Sequence, residues 1–150
     1  MPAPASQSHS FVIDIAPKRA LPLFTAEGER AWVPGWAPEI LSGNGERGSV
    51  FRTTADGVQT VWIVTDYRPD LGRASYARIA QGSNMGLVDV QCEAVGANST
   101  RVTVTYTLTE LSPEGSAFVT GFLAPESFKH FIAEWQQAIE AATRSGAIAR

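Results

Sequence analysis

The clearest pattern of apolar and polar positions lies in the last third of the chain. Residues 100–111 (TRVTVTYTLTEL) alternate threonine with an apolar residue, and the segment after them has apolar positions at helical spacing. Strict alternation predicts a strand with one buried face and one solvent-facing face. The helical stripe predicts a long helix that buries one side. A curved antiparallel sheet around a long C-terminal helix often encloses a ligand cavity, so the pattern predicts a cavity but does not identify its ligand.

Earlier segments add further strands. A first strand is predicted over residues 9–15, with Phe11, Ile13 and Ile15 on one face. Four more are predicted over residues 49–54, 59–67, 73–80 and 86–94. The breaks between consecutive strands are short and carry turn residues such as Asp56 and Gly57, which indicates hairpins and an antiparallel sheet.

Helices are predicted at two places. Pro17 suits the first turn of a short helix after the first strand, and Thr25 is a candidate N-cap for a second one. Prolines and a glycine make residues 32–38 a loop that carries Trp32 and Trp36. The last helix begins at residues 112–114, is interrupted at residue 125 and ends near residue 146, and its apolar stripe comprises Phe128, Phe131, Ile132, Trp135, Ile139 and Ala142.

Composition narrows the class of protein. With 150 residues and 44% apolar residues, the chain is expected to form a single domain over residues 1–150, with residues 1–8 as a flexible leader. No apolar run approaches the length of a membrane helix, so no membrane insertion is expected. Cys92 is the only cysteine, which is natural in a reducing compartment and predicts a cytoplasmic location. The net charge is −3 and the arginines are scattered singly, so no nucleic-acid partner is expected.

This element order resembles the START-like superfamily, also called SRPBCC, in its bacterial polyketide-cyclase-like branch. The segments that carry the resemblance are residues 11–17 (FVIDIAP), 23–25 with 32–36 (WVPGW), 60–67 (TVWIVTDY), and 103–111 leading to Trp135. The resemblance implies an α+β helix-grip fold with six to seven antiparallel strands wrapped around the C-terminal helix. Six strands follow from the residues, and the seventh is expected from a split of the region 41–54. The family also implies an apolar cavity between sheet and helix, but its members range from lipid carriers and aromatase/cyclases to co-chaperone activators.

Candidate cavity residues follow from the inward faces of these elements. Trp32 and Trp36 either gate the cavity mouth or close one end of the core, and packing is favoured for one of them. The Tyr106 hydroxyl needs a partner if it is buried, and a ligand, water or a side chain could supply one. Phe118 and Phe122 precede Pro125 and are candidates for a movable lid. The predicted ligand pocket comprises Phe24, Trp32, Trp36, Trp62, Tyr76, Val88, Val90, Val104, Tyr106, Leu108, Phe118, Phe122, Phe128, Ile132 and Trp135.

Candidate catalytic residues are few. Tyr106 and Asp66 are weak candidates for proton transfer, and Asp66 is more simply interpreted as a solvated carboxylate on the wet face of its strand. His130 lies about 200° around the helix from Phe128 and should face away from the sheet. With two distant histidines and one cysteine, no metal site is predicted, and no cofactor motif is found. Cys92 is expected to be a small buried hydrophobic residue.

Three functions remain open from the sequence. The first is a cytoplasmic module that binds or carries a hydrophobic small molecule such as a lipid, polyketide or aromatic metabolite. The second is a cyclase or dehydratase that uses Tyr106 or Asp66, and an ionisable side chain pointing into the cavity would favour it. The parity of the strands predicts an apolar inner face, which weighs against that enzyme. The third is a co-chaperone-like interaction module, which a core without a void would favour. In each case exposed sheet edges would allow a homodimer.

Overall fold

The computed structural model describes residues 4–149 and contains a seven-stranded, fully antiparallel sheet that curves around a C-terminal helix. The strands follow the spatial order β1-β7-β6-β5-β4-β3-β2. Their bounds are β1 Ala5–Ile13, β2 Glu39–Ser42, β3 Val50–Ala55, β4 Val58–Arg68, β5 Arg73–Ala80, β6 Asn84–Gly96 and β7 Ser99–Glu110. This is the predicted helix-grip fold, with α1 (Pro17–Ala20), three 3-10 turns, α2 (Pro113–Phe122) and α3 (Pro125–Ser145).

Strand β1 begins earlier than the sequence predicted. It pairs with β7 from Ala5 to Ile13, and the register joins Ala5 to Leu108 and Ile13 to Thr100. On the outer face, three serine hydroxyls of β1 bond threonine hydroxyls of β7: Ser6 to Thr107, Ser8 to Thr105 and Ser10 to Thr103. The prediction of a flexible leader over residues 1–8 is therefore wrong for Ala5–Ser8, while residues 1–3 lie outside the described part of the chain.

The faces of strand β4 change partway along it. A bulge between Val64 and Asp66 shifts the pairing with β5, so that Asp66 is paired with Ser75 and Tyr67 with Ala74. Because an extra residue reverses the alternation of side chains, Tyr67 joins Trp62 on the inner side and Asp66 faces outward. Simple alternation over residues 59–67 would place Trp62 and Asp66 on one face, and the bulge puts them on opposite faces.

Two short 3-10 turns pack on each other, and the first of them contacts β5 and β6. The first, η1, spans Leu21–Phe24, and the second, η2, spans Gly28–Ala31. The Thr25 hydroxyl donates to the Pro22 carbonyl at 2.8 Å and accepts the Gly28 N–H at 3.0 Å, but the N-cap position of η2 is Glu27 and not Thr25 as predicted. A Cβ at Gly28 would collide with the Pro22 carbonyl oxygen, so glycine permits η2 to fold tightly against η1.

The two C-terminal helices are separated at Pro125, as predicted. Ser112 caps α2 by accepting the Gly115 N–H at 3.0 Å, and Gly146 ends α3 in the left-handed conformation. Phe128, Ile132, Ile139 and Ala142 of α3 are buried against the sheet, whereas His130 is exposed and pairs with Glu134. The predicted orientation of the helix is therefore confirmed.

The seventh strand, β2, lies at the far edge of the sheet beside β3. It starts at Glu39, slightly before the region from which the sequence predicted it. Across residues 4–149, no helix is long and apolar enough to cross a membrane.

Candidate functional site

A cavity of about 320 Å³ lies between the inner face of the sheet and α3. We call it the inner cavity. Its lining comes from η1, η2 and the following loop, from β3 to β7, and from α3: Phe24, Glu29, Val33, Pro34, Gly35, Trp36, Ala37, Phe51, Thr53, Thr54, Ala55, Trp62, Tyr76, Val88, Val90, Tyr106, Phe131 and Trp135. A mostly apolar wall that is rich in aromatic rings and has few polar groups is typical of a small-molecule site, and this volume lies at the small end of such sites.

Fixed aromatic rings form one side of the inner cavity. The Phe51 and Trp62 rings are stacked with centroids 5.7 Å apart, and Tyr76 meets each of them edge-on. The Trp62 indole N–H donates to the Thr53 hydroxyl at 3.0 Å. The Tyr76 hydroxyl donates to the Phe24 carbonyl at 2.7 Å, so Tyr76 is satisfied by the protein itself.

Glu29 brings a carboxyl group to this apolar wall. Glu29 belongs to η2, is partly buried and lines the inner cavity. Within residues 4–149, neither an ion pair nor a hydrogen bond to the Glu29 carboxylate is found. Burial among apolar side chains raises the pKa of Glu29 to about 8, because the charged form loses its solvation. Glu29 is thus mostly neutral at pH 7.

Tyr106 supplies an uncommitted hydroxyl to the same cavity. It is buried on the inner face of β7, where its ring packs edge-on against Phe122, Phe128 and Phe131. No group in the described chain hydrogen-bonds its hydroxyl, in contrast to Tyr76. Burial raises the pKa of Tyr106, and the neighbouring charge of Arg78 acts in the opposite direction. The hydroxyl is therefore available to a bound molecule as a neutral donor.

Arg78 does not line the inner cavity itself, but it interacts with two residues that do, Trp62 and Tyr106. The Arg78 guanidinium lies over the Trp62 ring at 5.3 Å from the centroid, and its charge acts on Tyr106. Only 8% of Arg78 is exposed, and its Nε has no hydrogen-bond partner among the described residues. Burial lowers the pKa of Arg78 from its usual value. The expectation of an entirely apolar inner face is therefore wrong.

A second, larger cavity of about 570 Å³ adjoins the first. We call it the loop cavity, because residues 42–46 between β2 and β3 form part of its wall, together with Pro22, Thr25 and Tyr67. Phe51 and Tyr76 line both cavities and separate them. The unpartnered polar groups of Glu29 and Tyr106 line the inner cavity alone, so that cavity is the better candidate for specific recognition.

The two tryptophans of the 32–38 loop have different positions. Trp32 is 6% exposed, its indole N–H donates to the Leu23 carbonyl at 2.7 Å, and it packs between Phe24 and Trp135. It is an anchor of the core and does not line the cavity. Trp36 is half-buried at the inner cavity, and its N–H donates to the Ala26 carbonyl at 2.8 Å.

The structure brings part of the predicted pocket together. Phe24, Trp36, Trp62, Tyr76, Val88, Val90, Tyr106 and Trp135 line the inner cavity. Val104, Leu108, Phe128 and Ile132 do not, because α3 packs directly on the sheet there and leaves these side chains fully buried. Phe118 and Phe122 stack on each other in α2 outside the lining, and Phe118 is 43% exposed. Their role as a lid stays a prediction.

Other candidates lie away from the cavity. Asp66 faces outward, where the Arg73 guanidinium lies 3.3 Å from its carboxylate, so it cannot serve chemistry in the cavity. Cys92 is buried on β6, and burial raises the pKa of its thiol to about 12. Within the described ranges, no cluster of His, Cys, Asp and Glu that could hold a metal ion is found.

Sequence reasoning missed Glu29 and Arg78. Arg78 shares the parity of the buried Tyr76 and Ala80, so the alternation of β5 could have revealed it. Charged residues are seldom buried, which is why that signal is easily discounted. Glu29 carries no comparable signal, because a 3-10 turn of four residues has no periodicity that distinguishes its faces.

Comparison with protein families gives a match over nearly the whole chain. The model of the family described as "Polyketide cyclase / dehydrase and lipid transport" matches residues 4–142. Comparison by sequence with functionally curated proteins gives no match.

Three solved structures with the same fold are distant from this chain in sequence. A solution structure from Thermobifida fusca has a TM-score of 0.71 at 12% identity, covering 93% of each chain. Norcoclaurine synthase from Thalictrum flavum has a TM-score of 0.69 at 13% identity, covering 93% of this chain and 86% of that one. The Aha1 dimer from Colwellia psychrerythraea has a TM-score of 0.62 at 20% identity, covering 92% and 98%. At these identities the likeness shows the fold alone.

Proposed function

Because the chain belongs to the polyketide cyclase/dehydrase and lipid transport family, we propose that it binds a hydrophobic small molecule in the inner cavity. The observation that carries the proposal is a largely apolar cavity, rich in aromatic rings, in which the Tyr106 hydroxyl has no hydrogen-bond partner. Burial of the ligand's apolar surface supplies most of the affinity, and the few polar groups orient it. A lipid, a polyketide and an aromatic metabolite all satisfy this description.

Native mass spectrometry of the purified protein tests the binding proposal. Extra mass that is lost on denaturation is the expected result, and its value begins to identify the ligand. Val90→Phe should reduce the retained mass because Val90 lines the inner cavity, whereas Leu87→Phe on the outer face of the same strand should not. Equal retention by both variants would place the ligand elsewhere.

Glu29 favours a second candidate function, that of a cyclase-type enzyme. A carboxyl group with a pKa near the working pH can both take and return a proton. In this scheme the Glu29 carboxylate takes a proton from a carbon between two carbonyl groups, and the enolate oxygen accepts a hydrogen bond from Tyr106. The enolate carbon attacks another carbonyl carbon of the same chain, and Glu29 returns the proton to the resulting alkoxide.

Deuterium exchange at the central carbon of benzoylacetone tests this second function without the natural substrate. The protein should accelerate the exchange, and the rate should rise as the pH passes through about 8, where Glu29 ionises. Glu29→Gln should remove about 10²-fold or more of the acceleration while benzoylacetone still binds. Glu27→Gln is the control, because Glu27 is exposed and pairs with Arg30. Acceleration that survives Glu29→Gln would exclude this role.

The co-chaperone-like alternative has less support. A core without a void would have favoured it, whereas the described residues surround two cavities. The cytoplasmic location remains our proposal, supported by a single buried thiol.

We also propose a homodimer. The short edge strand β2 is fully exposed and offers unpaired backbone groups to a second copy. Light scattering at several concentrations would test it, and a constant monomer mass would rule it out.

A further inference from the structure

The end of the inner face beside Trp62 and Tyr106 contains polar groups that the protein leaves unsatisfied. Arg78 on β5 is buried with an unpartnered Nε, and Asn84 on β6 is buried with an unpartnered side-chain oxygen. The register pairs Arg78 with Gly86 and Ala80 with Asn84, so the two side chains are diagonal neighbours. Buried polar groups are almost always hydrogen-bonded, so the Arg78 Nε–H is a donor available to an acceptor at this end of the inner face, whereas the Asn84 oxygen calls for a donor.

The arginine is also without a counter-charge. Within residues 4–149, no carboxylate lies within ion-pair distance of Arg78, although the other face of the same strand pairs Arg73 with Asp66. A buried charge normally has a partner, because its desolvation is otherwise uncompensated. The Trp62 ring meets one side of the guanidinium but accepts no conventional hydrogen bond.

Arg78 lies next to residues that line the inner cavity. Its guanidinium lies over the ring of the lining residue Trp62, and its charge acts on Tyr106. The row across the sheet runs from Arg78 through Gly86 to Leu108, and the next row holds Tyr76, Val88 and Tyr106, all of which line the inner cavity. The polar end of a molecule that contacts Tyr106 in the cavity is therefore also near the guanidinium.

We propose that Arg78, with the Tyr106 hydroxyl, binds the carboxylate of a hydrophobic acid whose apolar body occupies the inner cavity. This inference rests on the proposed binding function and names the ligand class for it. A guanidinium matches a carboxylate through parallel N–H donors, and Tyr106 adds an O–H donor. The other acid in the cavity does not oppose this orientation, because Glu29 is mostly neutral at pH 7.

Dodecanoate and methyl dodecanoate are suitable probes, since they share the apolar chain and differ in charge. At pH 7, calorimetric titration should show dodecanoate binding at least about tenfold more tightly than the ester. Arg78→Met should weaken dodecanoate about 10- to 100-fold, the range expected for a charged hydrogen bond, and change the ester less than about threefold. Arg73→Met, on the outer face of the same strand, is the control and should affect neither probe.

A measurement on the unaltered protein keeps the test decisive if Arg78→Met does not fold. The carboxyl carbon of bound [1-¹³C]dodecanoate can be titrated by NMR. Beside Arg78 the pKa of the bound acid should fall below that of the free acid, whereas burial against an apolar wall would raise it.

The outcomes separate the two proposals. If neither probe binds, this inference is wrong, and the native mass spectrum decides separately whether the cavity holds another hydrophobic molecule. If both probes bind equally to the unaltered protein, or if Arg78→Met weakens both alike, the cavity binds apolar molecules but Arg78 does not recognise an acid.

Discussion

At the scale of single residues, two buried tyrosines in one cavity have opposite roles. The Tyr76 hydroxyl is committed to the Phe24 carbonyl and holds η1 against the sheet. The Tyr106 hydroxyl has no hydrogen-bond partner in the described chain. Both are about equally buried, so hydrogen bonding rather than burial distinguishes a structural tyrosine from one that is free for a ligand.

This difference predicts different effects of removing each hydroxyl. Tyr76→Phe should lower the free energy of unfolding by about 1–3 kcal/mol, because the Phe24 carbonyl loses its donor in a buried setting. Tyr106→Phe should change it by less than about 0.5 kcal/mol, but weaken binding of a polar ligand by about 0.5–1.5 kcal/mol. Urea unfolding and ligand titration of the two variants measure both effects. A stability loss in Tyr106→Phe as large as that in Tyr76→Phe would contradict the assignment.

At the scale of elements, glycine determines how closely β6 and β7 approach. A Cβ at Gly86 would collide with the Thr107 carbonyl oxygen, although Gly86 has no left-handed backbone. The close contact between the two strands therefore depends on the absence of a side chain at this position.

Gly86→Ala should consequently lower the free energy of unfolding by more than about 2 kcal/mol, because backbone must move to admit the methyl group. Gly121→Ala in α2 is a matched control, since nothing lies within 4 Å of its added Cβ and alanine favours a helix by roughly 0.5–1 kcal/mol. Thermal unfolding of both variants should show shifts of opposite sign. A Gly86→Ala protein as stable as the unaltered one would show that the strands separate easily.

The loop after η2 permits a second test at this scale. Trp36→Ala should accelerate ligand exchange, because Trp36 lines the inner cavity and is only half-buried. Trp32→Ala should instead cost about 3–5 kcal/mol of stability, since it removes a buried core anchor. Stopped-flow ligand release and urea unfolding separate the two effects. A Trp36→Ala variant with a lower melting temperature and unchanged release would indicate packing alone.

The elements also show what could be predicted from the sequence. The alternation of apolar and polar residues identified the inner and outer faces of β5 to β7, because every second side chain of a strand that is buried on one side faces the core. It failed on β4 beyond Val64, since the sequence does not mark the bulge. It also missed the start of β1, where polar serines and threonines pair on the outer face.

The candidate site was predicted less completely than the fold. Helical spacing identified Trp135 on the cavity side of α3, but no periodicity shows where the helix touches the sheet and where it leaves space. Phe128 and Ile132 therefore turned out to be core rather than lining. Glu29 reaches the cavity only because η1 and η2 fold over it, which is a tertiary event.

At the scale of the whole molecule, the carboxyl of Glu29 links stability to pH. Its folded pKa is about 8 against 4.5 in the unfolded chain, so the folded state retains a proton that the unfolded state has already released. The contribution of Glu29 to the free energy of unfolding is therefore constant below pH 4.5. It falls as the pH rises from 4.5 to about 8, and it is constant again above that pH.

Glu29→Gln should remove this fall in the free energy of unfolding with rising pH. Relative to the unaltered protein, the variant should gain about 2–5 kcal/mol between pH 4.5 and pH 9, at about 1.4 kcal/mol per unit of pKa. Urea unfolding at several pH values checks the difference, with Glu27→Gln as the control. Parallel pH profiles for Glu29→Gln and the unaltered protein would mean that Glu29 is solvated in the folded state.

The ladder of serine and threonine hydroxyls between β1 and β7 has a consequence for synthesis of the chain. Ser6 bonds Thr107 and Ser10 bonds Thr103, so the first of the seven strands to be made pairs with the last of them. Phe11 and Ile13 of β1 cannot be covered by β7 until residues 100–102 have emerged. Closing so long a loop is slow, and the nascent chain carries an unpaired strand through most of its translation. Binding of a holding chaperone to nascent chains should therefore end abruptly once β7 is complete.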